Sequence, residues 1–346
     1  MIPTVALALQ GGGSHGAFTW GVLDRLLEEV AAGRLLISAL SGTSAGALNA
    51  ALTVSGLVQG GPDRARAKLE TFWRTLSRQG FLAGNNLVFP EPGFSGFNLD
   101  NSPVGIALEA AGLVLSPYTN PFYSDPLAPL VTQAFPPAEL AQLNADAGPR
   151  LFVAATNVTS NGRRVFTQPG ITTDALRASA ALPSGFKAVT IEGDPYWDGG
   201  YLANPALNPL LAHAQDVLLV LVNAFHRDNM PPKGARSILD RLNEISFNAS
   251  IVLELNAIEA INRLLAELAA GGVPYTGRYK PIRLHAIRND AFVEQLGFVS
   301  KSATSWNFLS ALHDAGHQTA DQWLHVHVGD LGQVATFNAK TELGLL

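Results

Sequence analysis

The stretch Ile37-Ser38-Ala39-Leu40-Ser41-Gly42-Thr43-Ser44-Ala45-Gly46-Ala47-Leu48-Asn49-Ala50-Ala51 passes from an apolar strand pattern through a turn of small residues into an apolar helix pattern. Its centre, Gly42-Thr43-Ser44-Ala45-Gly46, fits G-x-S-x-G. In that frame small flanking residues permit a sharp turn that lifts a serine hydroxyl clear of the backbone, above a helix N-terminus. A serine so placed can act as a nucleophile.

Upstream, Val5 to Leu9 is a short apolar run ending in Gly11-Gly12-Gly13. From Ala17 to Val30 the apolar residues Phe18, Val22, Leu26, Leu27 and Val30 alternate with Asp24, Arg25, Glu28 and Glu29, which reads as an amphipathic helix. Two strand-loop-helix units in succession predict parallel strands with helices packed on the sheet.

Downstream, a helix is expected from Arg64 to Arg78. No Lys or Arg then occurs until Arg150, while Phe81, Phe89, Phe94, Phe97, Tyr118, Phe122 and Tyr123 alternate with Gly, Pro, Asn and Ser. Residues 80–125 therefore read either as a cap over an apolar cleft, with Phe94, Phe97 and Phe122 facing the nucleophile, or as irregular surface. Arg150 to Asn157 returns to a buried strand pattern with Arg164 to Thr167 as its hairpin partner, and Asp174 to Ala181 is a short helix. Ala188 to Glu192 and Tyr196-Trp197 lead to Asp198-Gly199-Gly200, and Asp216 to Asn223 is the most apolar strand. Helices are expected at Leu207 to Ala214, Ala235 to Ala270 and Ala303 to Val326, with one more strand at Pro281 to Ile287. The expected division is a catalytic region over residues 1–228 and a mainly helical region over 229–346 packed on the same domain.

With 346 residues, 47% hydrophobic and 15% charged, the chain has ample material for a core. A net charge of -5 and a pI near 5.9 give no electrostatic basis for a nucleic-acid partner. The absence of cysteine excludes disulfides, thiol catalysis and thiolate metal sites. The N-terminal residues lack a basic segment and an h-region, and no apolar run is long enough to span a bilayer. The expectation is a cytoplasmic protein whose membrane contact, if any, is peripheral.

Gly11-Gly12-Gly13-Ser14-His15-Gly16 matches the dinucleotide fingerprint G-x-G-x-x-G. That reading needs a carboxylate near the end of the second strand for the ribose, and the strand ends Ser38-Ala39-Leu40-Ser41. The alternative use of such a loop is to turn backbone N–H groups toward one point at a helix N-terminus, as an oxyanion hole. Asp198, in Asp-Gly-Gly, either starts a turn or carries chemistry. None of the eight histidines (His15, His213, His226, His285, His313, His317, His325, His327) stands in a setting that marks it as a triad base. A carboxylate in a dry site with short geometry can serve instead.

The glycine loop, the Gly42 to Gly46 elbow, the Ala178-Ser179-Ala180-Ala181-Leu182-Pro183 segment with Phe186, and Asp198-Gly199-Gly200 stand in the order found in patatin-like phospholipases, which the chain resembles over about residues 5 to 225. The resemblance implies a three-layer α/β/α sandwich of patatin type, with a mainly parallel central sheet and extra C-terminal helices. It implies a serine-aspartate dyad acting on lipid acyl esters, with Ser44 as nucleophile and Asp198 as base. Gly11, Gly12 and Gly13 would form the oxyanion hole, Gly42 and Gly46 the elbow, and no metal or organic cofactor is called for. The alternatives are acyl transfer by the same dyad and lipid binding without turnover. One departure is His15, where the family usually carries Arg or Lys. As a modulator of the oxyanion loop, a neutral imidazole there implies less positive charge and a preference for neutral esters. Oligomeric state is not legible.

Overall fold

The computed structural model describes residues 2–79, 116–121, 123–145, 147–225, 231, 235–277, 279–296 and 299–343. Among them, eight strands form one sheet: β1 (Thr4–Leu9), β2 (Leu36–Gly42), β3 (Arg150–Asn157), β4 (Arg163–Thr167), β5 (Val189–Ile191), β6 (Asp194–Asp198), β7 (Asp216–Val220) and β8 (Arg283–Ile287). Their order is β5-β6-β3-β2-β1-β7-β8, with β4 paired to β3. Strands β3, β2, β1, β7 and β8 run parallel, while β4, β5 and β6 add antiparallel pairs at the β3 end. The expected β3-β4 hairpin and the strand near 281–287 are both present, and β8 extends the sheet from the C-terminal part of the chain.

Helices α1 (Gly16–Ala31), α2 (Ala45–Gly60) and α3 (Pro62–Gln79) follow the first two strands. Two helices that the sequence reading passed over, α4 (Leu127–Ala134) and α5 (Pro137–Leu143), occupy the cation-free stretch before β3. Further on are α6 (Thr173–Ser179), the 36-residue α7 (Ala235–Ala270) and α8 (Trp306–His327). The segment expected as a helix over Leu207 to Ala214 is a 3-10 helix, Asn208–Ala212, with Pro209 in its first turn.

Alternation along β1 divides the core. Val5, Leu7 and Leu9 point into a large cluster with α1, α2, α3 and α8, whereas Ala6 and Ala8 face a smaller cluster built with Leu207, Leu210, Ile251, Leu255 and Ile258. The small side chains let the 3-10 segment and α7 approach the second face, and the result is helices on both sides of a mostly parallel sheet.

Strand β1 sits between β2 and β7, so the connection leaves β1 for one side of the sheet first and the other side later. In open α/β sheets the crevice beyond the carboxyl ends of strands at such a reversal is where ligands bind. Both loops singled out in the sequence, Gly11 to Gly16 after β1 and Gly42 to Gly46 after β2, open at that end. Among the described residues no helix is long and apolar enough to cross a membrane.

Candidate active site

Ser44 occupies a backbone conformation that few non-glycine residues adopt, φ 56 and ψ -127, between the end of β2 and the first residue of α2. Its neighbours explain how the turn closes. A methyl group on Gly42 would strike the Gly46 carbonyl, and one on Gly46 would strike the Leu9 carbonyl, so both ends of the turn require glycine for close backbone approach. The turn is pinned by Gly46 N–H to Thr43 O at 2.9 Å and by Thr43 Oγ1 to Ala203 O at 2.6 Å. The Ser44 N–H donates to Ser179 Oγ at 3.0 Å. Ser179 belongs to the Ala178 to Pro183 segment that the sequence marked by resemblance, and its partner became visible only in the fold.

Asp198 comes to Ser44 through strand register. Strand β3 pairs Gly42 through Val153 and Asp198 through Ala155, two residues farther in the same direction. The last residue of β6 therefore lies alongside the elbow that follows β2. There the Ser44 hydroxyl faces the Asp198 carboxylate across the shared cavity, and the Gly200 N–H donates to the carboxylate Oδ1 at 2.7 Å. Asp198 is 2% exposed. Burial pushes its carboxyl up to about 7, against the opposing pull of the Gly200 N–H, the Ser44 hydroxyl and the Lys301 charge.

The glycine loop lies across from this pair, and its three residues differ. The Gly11 N–H donates to Asn204 Oδ1 at 2.7 Å, while Asn223 Nδ2 donates to the Gly11 carbonyl at 2.8 Å. Gly11 is thus spent on holding the loop. Gly12 and Gly13 line the cavity with Ser44 and Asp198, and Gly13 has φ +60 with the Lys301 carbonyl packed where a side chain would stand. Behind the loop, Gln10 Oε1 accepts from the N–H groups of Val222 and Asn223, and Gln10 Nε2 donates to Asn248. A satisfied buried network of this kind fixes the loop relative to β7 and α7.

His15 is buried, bonded through Nε2 to Ser300 Oγ at 2.7 Å and set edge-on to Phe308. Burial, and secondarily the Lys301 charge, hold its imidazole well below the usual histidine range, so the ring is neutral. It is not among the residues that line the cavity; Lys301 is.

The cavity measures about 330 Å³. Its lining is mainly apolar, with Leu48, Phe72, Trp73, Leu76, Leu130 and Phe186, and it also takes in Gly12, Gly13, Ser44, Asp198 and Lys301. The expected contributions of Phe94, Phe97 and Phe122 lie outside the described residues. Of the same aromatic segment, the Tyr118 and Tyr123 hydroxyls accept from the Ala188 and Lys187 N–H groups at 2.8 and 3.1 Å, directly after the wall residue Phe186. The one cluster with metal-like spacing among the described residues, Asp24, Glu28 and His317, lies away from this cavity and already engages Arg66.

A hydroxyl on a strained turn that shares an apolar cavity with a buried carboxylate and a glycine loop is an arrangement that suits acyl transfer through a covalent intermediate. The family comparison agrees in class: the model for patatin-like phospholipase matches residues 7–211, and the chain belongs to that family. Among solved structures, VipD from Legionella pneumophila is similar, at 16% identity and a TM-score of 0.42, over 94% of this chain and 67% of that one. No curated protein matches.

Proposed function

We propose that the protein is a serine-dependent lipid acyl hydrolase of the phospholipase A, lysophospholipase or esterase type. The observation that carries this reading is that Ser44, on its strained turn, and the buried Asp198 carboxylate line the same mainly apolar cavity. Asp198 takes the proton as Ser44 Oγ attacks the ester carbonyl. The N–H groups of Gly12 and Gly13, with the positive end of α2, stabilise the oxyanion. Collapse of the intermediate returns the proton from Asp198 to the departing alcohol and leaves the acyl group on Ser44. Water, deprotonated by the same carboxylate, then releases the fatty acid.

The apolar wall suits an acyl chain, whose burial contributes about 0.8 kcal/mol per methylene. The reading places lipid contact at the protein surface and requires no metal or organic cofactor. Its test is hydrolysis of a p-nitrophenyl acyl ester and a lipid panel by the intact chain beside Ser44→Ala and Asp198→Asn. Loss of turnover in both variants supports it, and wild-type turnover in Ser44→Ala overturns it.

A further inference from the structure

Lys301 follows the family-matched region in sequence yet reaches the glycine loop by three routes. Its ammonium donates to Asn223 Oδ1 at 2.7 Å, and Asn223 in turn holds the Gly11 carbonyl. Its own carbonyl packs on Gly13, at the position that makes glycine necessary there. Its side chain lines the cavity with Ser44 and Asp198, and its Nζ stands 5.9 Å from the centroid of the Phe247 ring on the same wall. Of the described residues around that cavity, Lys301 is the one cation and Asp198 the one anion. The preceding residue, Ser300, is the hydrogen-bond partner of His15.

We propose that Lys301 is the positioning cation of this site, supplying the positive charge at the glycine loop from the C-terminal part of the chain. The proposal rests on the Ser44 and Asp198 reading. In that reaction one negative charge moves from the Asp198 carboxylate to the oxyanion at Gly12 and Gly13. A fixed cation near both ends stabilises the charge throughout, and does so more strongly in a cavity with apolar walls than it would in water.

The charge has a second consequence. The groups facing Asp198 are the Ser44 hydroxyl, the Gly200 N–H, Lys301 and the Tyr201 phenol; the phenol is held above its ordinary range, chiefly by burial, and is neutral near pH 7. His15 faces Lys301 and is neutral as well. Lys301 therefore carries the charge that favours ionised Asp198, and removing it shifts the carboxyl toward higher pH.

The experiment compares the intact wild-type chain with Lys301→Met, Lys301→Arg and Ser44→Ala, measuring kcat and KM for an uncharged p-nitrophenyl ester from pH 5 to 9, with a thermal melt of each. Lys301→Met is expected to lose about tenfold or more in kcat/KM. Its acid limb should move up by about half a pH unit or more. Lys301→Arg should recover most of the rate and the wild-type limb. A wild-type limb in Lys301→Met, or a Lys301→Arg variant as impaired and as shifted as Lys301→Met, overturns the proposal. If Lys301→Met lacks a cooperative melt, Lys301→Gln, which keeps polar reach to Asn223, decides by the same criteria. Wild-type turnover in Ser44→Ala overturns the underlying reading, whereas an inert Ser44→Ala beside an unchanged Lys301→Met defeats the Lys301 assignment alone.

Discussion

The Ser44 hydroxyl faces the buried Asp198 carboxylate although Ser44 follows β2 and Asp198 ends β6, two strands on either side of β3 in the pairing order. Register makes the contact: Gly42 pairs Val153, and Asp198 pairs Ala155. A shift of β6 along β3 by one residue would turn Asp198 to the opposite face of the sheet, since side chains alternate with period two. Thr156 Oγ1, which donates to the Asp198 carbonyl at 2.8 Å, and Asp198 N–H, which donates to Ala181 O at 2.9 Å, hold that register.

The pH dependence of turnover follows from the carboxyl near 7. A general base must be ionised, so kcat/KM should be small at pH 5, rise through about pH 7 and level off above about pH 8. A pH-rate profile of the wild type with an uncharged ester checks this. A rate that is flat from pH 5 to 8 would be inconsistent with Asp198 as the base.

Stability should run the other way. A carboxyl raised in the folded state favours its protonated form, so its stabilising effect is fully present below the unfolded value of 3.8 and is lost as pH rises through about 7. Asp198→Asn removes that dependence. Denaturant melts should find the variant more stable than wild type at pH 8, by a few kcal/mol with about 4 as the upper bound, and the difference should shrink toward pH 4.

Ser179→Ala tests the support of the elbow. It leaves the Ser44 N–H without its acceptor in a buried setting. The expected cost is about 1–3 kcal/mol of stability, with a fall in kcat as the strained turn relaxes. Chemical melts and steady-state kinetics on one preparation would show both; unchanged kcat would separate the contact from turnover.

Asn204→Ala probes the glycine loop in the same way. Asn204 Oδ1 accepts the Gly11 N–H, and its Nδ2 donates to Phe247 O at 3.2 Å, so one side chain ties the loop to α7. Destabilisation by about 1–3 kcal/mol is expected, together with weaker inhibition by a tetrahedral transition-state analogue than by a ground-state ligand. Equal loss of affinity for both ligands would assign Asn204 to general folding alone.

The parts of the site that lay in contiguous sequence were readable. Gly42 to Gly46 and Gly11 to Gly13 carry their geometry locally, because a tight turn limits which residues fit. Asp198 was readable by its place in the order of motifs rather than by any local feature, since an Asp-Gly-Gly also serves as an ordinary turn. Ser179 had a motif but no visible task, while Asn204, Gln10 and Lys301 had no motif. Their roles arise from side chains that meet across the sheet, and composition does not encode such meetings. Helices α4 and α5 escaped notice for a local reason: Pro126, Pro129, Pro136 and Pro137 punctuate the stretch, and two short helices fit between and upon them. At His15 the sequence supplied an imidazole where the family usually carries Arg or Lys, and the fold buries that ring against Ser300 and Phe308. What one dimension hid was Lys301 beside the same loop.

The central claim, that Ser44 is the nucleophile and Asp198 its base, is tested most directly by covalent labelling with a fluorophosphonate, read by mass spectrometry of the intact protein and its peptides. The account predicts one adduct on Ser44 in the wild type, no adduct in Ser44→Ala, and labelling slowed by orders of magnitude in Asp198→Asn while its melt remains cooperative. Labelling elsewhere at the wild-type rate in Ser44→Ala, or an unlabelled wild-type chain, would contradict it.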